Sequence, residues 1–213
     1  MLTVNEIFYS IQGESTYAGR PCVFIRLTAC DLRCTWCDTT YAFYEGRKVS
    51  VDEVLRQAEA YNCQLVELTG GEPLLQEEVY PLMDRLLASG YTVLLETGGH
   101  VDVGKVPPAV VKMIDVKCPG SGEADRNHWE NLAKMQPHDQ VKFVIRDRPD
   151  YEYARGTLCQ RRLDRQCAAV LFSPVHGLLD PRVLSEWVLE DRLPVRVQLQ
   201  LHKYIWGPDV RGV

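Results

Sequence analysis

Two hydrophobic periods alternate along this chain, and the switches between them lay out its elements. Residues 3–10 and 21–28 carry apolar side chains at the length and composition of strands. Ser50 and Glu53 form a capping-box pattern, and Val51, Val54, Leu55, Ala58 and Tyr61 follow at helical spacing. An apolar run over 64–69 predicts a strand. Residues 76–89 then place Val79, Leu82, Met83, Leu86 and Leu87 on one helical face, which Gly90 terminates. Further strands are predicted over 91–96, 110–117, 140–146, 168–172 and 195–201. Helices are predicted near 127–135, over 149–160 (weakened by Gly156), and from the Asp180-Pro181 cap to Glu190.

Strands alternating with helices predict an α/β fold with a parallel sheet covered by helices. With roughly six core strands and fewer helices, the pattern suits an abbreviated, partly open parallel-strand barrel of the TIM-like kind. The polar, glycine-rich segments 29–40, 69–73, 96–100, 117–122 and 173–177 each follow a strand, where such folds bind ligands. No repeat, low-complexity stretch or linker interrupts the pattern, so residues 1–213 are expected to form one domain.

Composition adds exclusions. The chain is 46% hydrophobic and 25% charged, as in ordinary globular proteins, and its formal charge of −5 argues against a nucleic-acid partner. Arg161, Arg162 and Arg165 read as a solvated helix face. No basic-then-apolar leader and no run of about 18 apolar residues is present, so neither export nor membrane insertion is expected, and the cytoplasm is the expected compartment. In that setting the eight cysteines read as reduced thiols or metal ligands. Five of them, Cys22, Cys63, Cys118, Cys159 and Cys167, are scattered and read as small buried hydrophobes.

The other three are not scattered. Cys30, Cys34 and Cys37 stand at C-x3-C-x2-C spacing directly after the strand at 21–28. A structural zinc site and a thiolate-bound iron–sulfur cluster each need four ligands. Three close thiols without a fourth suggest a 4Fe–4S cluster with one iron open to a substrate or cofactor; a zinc knuckle completed by His or Asp is the alternative. In Gly70-Gly71-Glu72-Pro73 the glycines allow close backbone approach to a ligand, and Glu72 could pair with a cationic amine. Gln12 and Glu14 flank Gly13 in a polar turn able to read a ligand's hydrogen-bonding edge. Arg26 suits a bidentate carboxylate contact or a structural ion pair.

The three-thiol loop followed by Gly70-Gly71-Glu72-Pro73 resembles the radical S-adenosylmethionine (SAM) enzymes. Within them, nearly the whole chain is similar to the 7-carboxy-7-deazaguanine synthases, through Glu6-Ile7-Phe8, Gln12-Gly13-Glu14, Cys37-Asp38-Thr39, Glu96-Thr97, Asp115-Val116-Lys117 and the segment from Gln200 to Trp206. That resemblance implies conversion of 6-carboxy-5,6,7,8-tetrahydropterin to 7-carboxy-7-deazaguanine and ammonia, with SAM used catalytically and Mg2+ in support. It implies that Cys30, Cys34 and Cys37 hold the cluster, and that Thr39, with Thr40 as its neighbouring rival, binds Mg2+. Trp36, Cys37, Asp38, Gly71, Glu72, Lys142, Phe172, Ser173, Pro174 and Val175 would lie along SAM. Ile11, Gln12, Gly13, Glu14, Arg26, Thr69 and His202 would surround the pterin. An electron donor such as flavodoxin and a homodimer are implied as partners. Ser15 stands where many members have glycine, and the compact cysteine spacing lacks an insertion that some carry. Two other readings stay open at this point: a glycyl-radical-enzyme activating enzyme, and a noncatalytic iron–sulfur or zinc-binding module.

Overall fold

The computed structural model describes residues 1–213. Strand β1 (Leu2–Ile11) turns back antiparallel as β2 (Pro21–Leu27), and β3 (Arg47–Val49) covers the outer edge of β1. Helix α1 (Val51–Glu59) leads to β4 (Leu65–Gly70), and α2 (Val79–Ala88) to β5 (Thr92–Thr97). Strands β6 (Val111–Asp115) and β7 (Gln140–Ile145) follow, then α3 (Arg148–Arg161), β8 (Ala169–Pro174), α4 (Pro181–Glu190), β9 (Arg196–Val197) and α5 (Leu201–Ile205). All nine strands form one sheet, in the order β3-β1-β2-β4-β5-β6-β7-β8-β9. From β2 to β9 every pairing is parallel. The sheet is open, with β3 and β9 at its edges, as the abbreviated barrel requires; the antiparallel start was not part of the expectation.

Local chemistry explains the helix starts. Ser50 Oγ accepts from the Glu53 amide at 3.2 Å, but the Glu53 carboxylate turns to Gln57 and Arg56, so half of the capping box forms. Asp147 caps α3 by accepting from the Asp150 amide, and Asp180 caps α4 by accepting from the Arg182 amide. Gly156 in α3 has open space around it, and the helix runs through it unbroken. The helix expected near 127–135 is a 3-10 segment, Trp129–Lys134.

Apolar packing divides by face. On one flank α1 and α2 pack Val54, Leu55, Leu82, Met83 and Leu86 against β2, β4 and β5. On the other, α3 and α4 pack Tyr151, Leu158, Leu184 and Val188 against Val141, Phe143 and Phe172 of β7 and β8. Each fully buried side chain of this kind contributes about 1.5–3 kcal/mol. Of the scattered cysteines, Cys22 and Cys118 are buried and Cys63 and Cys167 half-buried. Cys159 is exposed, because α3 buries Asp150, Tyr151, Ala154, Thr157 and Leu158 and so turns position 159 outward. Arg161 stacks on Trp129 at 4.0 Å, while Arg162 and Arg165 face solvent as expected.

The inner face of the sheet positions the site. Phe24, Leu65, Leu94 and Met113, with Phe8 and Cys22, plug its lower end. Two residues further along each strand the inward position turns polar: Arg26, Glu67, Glu96 and Asp115 all line a cavity. The strand expected over 195–201 is paired only at Arg196 and Val197. Beyond it the chain leaves the sheet, because Gln198 Nε2 donates to Glu14 Oε2 and the Leu201 amide donates to the Gly13 carbonyl. His202 therefore sits on α5 and not at a strand end.

Candidate active site

The cavity lies at the carboxyl ends of the parallel strands and encloses about 830 Å³. Its first wall is the loop after β2. Ala29 opens that loop in the left-handed region (φ 83°) and accepts at its carbonyl from the Glu72 amide at 2.7 Å. Arg33 Nη1 donates to the Cys30 and Leu32 carbonyls at 2.8 and 2.6 Å, which curls the chain between the first two thiols. Thr35 is tied to the 119–121 turn through its amide to the Ser121 carbonyl and its hydroxyl to the Gly120 carbonyl.

Cys30, Cys34 and Cys37 are free thiols, and all three line the cavity. Burial pushes Cys30 up to about 11 and raises Cys34 and Cys37 as well. Binding a metal must therefore release protons. No three His, Cys, Asp or Glu side chains converge on a single-ion site. In a 4Fe–4S cube each thiolate takes a different iron, so its ligands stand apart round a space, and three thiols spread along one cavity wall fit that geometry. The other five cysteines lie off this wall, so no fourth thiol stands on it.

Gly70-Gly71-Glu72-Pro73 does its work by proximity. A Cβ on Gly71 would stand 2.1 Å from the Ala29 carbonyl oxygen and 2.9 Å from Cys30 Cβ, so only glycine lets this turn meet the thiol loop. Glu72 does not reach the cavity. It is fully buried and accepts from the Leu74 amide, the Thr97 hydroxyl and the Gly98 amide, which braces the turn from behind. Phe172, Ser173 and Pro174 are likewise off the wall; Phe172 packs edge-on against Phe143 and Tyr151, and of that segment only Val175 lines the cavity.

The remaining expected residues do come together. Trp36, Asp38 and Thr39 line the thiol side. Thr39 Oγ1 donates to Asp38 Oδ1 at 2.9 Å, which leaves the hydroxyl's lone pairs free, and Thr40 lies beside it on the wall. Lys203 Nζ stands 2.6 Å from Asp38 Oδ2; burial opposes that charge, but the ammonium holds the carboxyl well below its usual range. Facing them are Ile11, Gln12, Gly13, Glu14, Thr69 and His202, with Gly71 at the junction. A Cβ on Gly13 would fall 2.1 Å from His202 Nδ1, so glycine is needed there too. Burial lowers the His202 imidazole and favours its neutral form.

Arg26 is held by its Nε on Glu6 Oε1 at 2.7 Å, and its guanidinium lies over the Phe8 and Tyr41 rings. Tyr41 donates to the same Glu6 oxygen. The two terminal nitrogens of Arg26 make no hydrogen bond within the protein, and Arg26 lines the cavity. The ion-pair reading of Arg26 is therefore seen at Nε, and the carboxylate-binding reading would fall to the terminal nitrogens.

Behind Glu14 lies a charge cluster whose pairing the sequence did not show, although Glu14 and Lys142 were each expected at the site. Lys142 Nζ bridges Glu14 Oε2 at 3.0 Å and the Glu96 carboxylate. Burial alone would lower Lys142, but the two carboxylates hold it well above its ordinary value. Burial would raise Glu14; Lys142 and the Gln200 amide overcome it and keep the carboxylate ionised. Glu67, with no cation of its own, is driven up by burial and by Glu96 and Glu14, and accepts from Gln12 Nε2. Asp115 and Lys117, paired at 2.6 Å, complete the floor, and Asp115 Oδ1 is buried without a partner. Glu67 had a local signal: it interrupts the apolar run 65–68 at the position in phase with Thr69.

A parallel sheet with three thiols and a glycine-rich turn at its carboxyl end is the framework of a radical SAM protein, and the Radical SAM superfamily profile matches residues 24–115. The chain is 51% identical, over 100% of both sequences, to 7-carboxy-7-deazaguanine synthase of Koribacter versatilis. It is 47% identical to that of Chlorobaculum tepidum, over 100% of this chain and 97% of that one. It belongs to the 7-carboxy-7-deazaguanine synthase family. The fold agrees with the crystal structure of QueE from Escherichia coli, with a TM-score of 0.78 at 22% identity over 94% of each chain. Family membership brings with it a 4Fe–4S cluster and SAM.

Proposed function

We propose that the whole chain acts as one catalytic domain that converts 6-carboxy-5,6,7,8-tetrahydropterin into 7-carboxy-7-deazaguanine with loss of ammonia. The observation that carries this reading is that the three-thiol loop and the Arg26, Gln12 and Glu14 wall open on the same cavity. When bound, the cluster and SAM supply a 5′-deoxyadenosyl radical by one-electron cleavage of the sulfonium.

The protein's own part is to bind, orient and exclude water. Arg26 offers two parallel N–H donors to the substrate carboxylate, with Glu6 and Tyr41 fixing the plane of the fork. Glu14, held ionised by Lys142, accepts from the amino and ring N–H edge of the pterin, beside the Gln12 amide, whose orientation is set by its bonds to Glu67 and the Glu14 amide. Neutral His202 and Thr69 border the same space. Thr39, whose proton is engaged by Asp38 and whose lone pairs are free, would be the protein's ligand to Mg2+, a hard cation that would supply charge stabilisation at the substrate carboxylate. The tail from Pro208 to Val213 lies along the mouth, pinned by Arg211 stacked on Tyr41 at 3.7 Å and paired with Glu45 at 3.1 Å.

The proposed partners are an electron donor such as flavodoxin and a second copy of the chain. The exposed apolar residues Tyr204, Ile205 and Trp206 support the latter as surface for a copy to cover, which sedimentation of the reconstituted protein tests. No helix is long and apolar enough to cross a membrane.

The deciding experiment is anaerobic cluster reconstitution followed by incubation with reductant, SAM, Mg2+ and 6-carboxytetrahydropterin. Formation of 7-carboxy-7-deazaguanine with SAM recovered is expected. SAM cleavage without that product would overturn the assignment of substrate.

A further inference from the structure

Between the two cofactor-bearing turns lies a group that no role above uses. His100 follows β5, and its side chain is only 4% exposed. Its backbone is clamped on both sides by the fully buried Asn131, whose Nδ2 donates to the Gly99 and Val101 carbonyls at 3.1 and 2.8 Å; Asn131 Oδ1 accepts from the Val103 amide. From this fixed platform His100 Nε2 reaches Asp31 Oδ1 at 2.6 Å. A carboxylate only accepts, so Nε2 carries the proton. Nδ1 is buried without a hydrogen-bond partner, 3.8 Å from Glu72 Oε2. Asp31 Oδ2 pairs in turn with Arg126 Nη2 at 2.7 Å.

Asp31 directly follows Cys30, and Glu72 lies in the glycine-rich turn. The imidazole therefore stands between the first cluster thiol's neighbour and the turn whose backbone holds that thiol's strand exit. We propose that His100 is a positioning residue for the cluster: through its hydrogen bond to the Asp31 carboxylate it holds the thiol loop against the 70–73 turn and orients the acidic side chain beside Cys30. The inference rests on the cluster assignment. Groups of this kind around a metal's ligands set orientation and affinity, and net charge and hydrogen bonding near the cluster set its reduction potential.

His100→Phe keeps the ring and removes the donor. In the metal-free chain, amide hydrogen exchange over residues 30–34 should quicken, a readout that needs neither cluster nor activity. In reconstituted protein, iron retention against a chelator should fall about tenfold, and the cluster's reduction potential should become more negative, because Asp31 loses one of its two hydrogen-bond donors. Asp31→Asn removes the carboxylate charge, so in the Asp31→Asn background His100→Phe should leave the potential unchanged. His100→Gln, which keeps an N–H donor, should restore part of the wild-type potential; it also serves as the variant to measure should His100→Phe fail to fold. Unchanged exchange and potential in the single variant, or an equal shift with and without the Asp31 carboxylate, would overturn the proposal. Loss of product with exchange, iron retention and potential all at wild-type values would count against the proposed reaction instead.

Discussion

The two walls of the cavity are built by opposite means. The thiol wall is local: eight residues carry all three cysteines, the turn that meets them comes from the next strand of the sheet, and the joint is made by backbone hydrogen bonds and a glycine. The facing wall is assembled from far apart. Glu14 is held by Lys142, Gln198 and Gln200, at separations of 128, 184 and 186 residues, and its contacts are buried charges and amides. One wall exposes chemistry on a short loop braced by neighbouring turns, and the other makes recognition inseparable from the closure of the fold. Mutations on the first should therefore destroy chemistry and spare stability, and mutations behind the second should cost stability and substrate recognition together.

The largest effect tests the first half of that contrast. Cys34→Ala should abolish product, since a cluster with two thiolates is not held, and iron content after reconstitution should fall with it. The metal-free variant should nonetheless melt within a few degrees of the wild type, because Cys34 is only half-buried and belongs to none of the three apolar clusters. A collapse of the metal-free fold would mean that the loop carries structural weight and that the two walls are not so different.

Lys142→Met tests the other half. It leaves Glu14 and Glu96 buried without their cation, and breaking a buried pair by removing one partner costs about 3–5 kcal/mol. The pH dependence has a definite sign. Burial already raises Glu96 against the pull of Lys142, and without the ammonium that rise is unopposed, so the variant's stability is present in acid and lost as pH rises through the raised value. Thermal denaturation should show the gap between variant and wild type widening from pH 5 toward pH 8. A gap independent of pH would mean that Lys142 acts by packing.

Arg26→Ala lies between the extremes. A hydrogen bond to a charged group contributes about 1.5–3 kcal/mol, so KM for the pterin should rise by about 10- to 100-fold with the iron–sulfur absorption unchanged. Loss of that absorption would make Arg26 a structural partner of Glu6 and nothing more. Arg26→Lys should rescue little, since a point charge cannot reproduce the fork that Glu6 and Tyr41 hold in plane.

The same contrast decides what could be read from the residues alone. The thiols, Gly70-Gly71-Glu72-Pro73, the helix caps and the parallel strands have signatures within a few positions of one another, and all are where the pattern places them. Glu72 was legible as a residue and not as a direction, because nothing local tells a carboxylate whether to face a ligand or to turn back onto Leu74, Thr97 and Gly98. The segment 195–201 alternates like a strand but pairs only at Arg196 and Val197, because Gln198 and Gln200 turn to Glu14 beyond them. The Glu14–Lys142–Glu96 cluster has no local signature at all: each member is one charged residue at an inward strand or turn position, and only the fold brings them together.

The smallest effect concerns the turn that joins the two walls. Ser15 has φ 64°, a left-handed conformation that costs an L-residue about 1–2 kcal/mol. Its hydroxyl accepts from the Tyr17 amide at 3.1 Å, a bond of about 0.5–1.5 kcal/mol, and serine loses about 0.5–1 kcal/mol less backbone entropy than glycine on folding. Its own amide donates to Gln198 Oε1 at 2.5 Å, a contact that glycine retains. The strain relieved and the terms lost nearly cancel, so Ser15→Gly should move Tm by no more than about 2–4 °C and leave KM for the pterin unchanged. A larger fall in Tm together with weaker substrate binding would show that the hydroxyl, and not the backbone angle, holds Gln12, Gly13 and Glu14 in place, and that the recognition wall is more local than its long-range bonds imply.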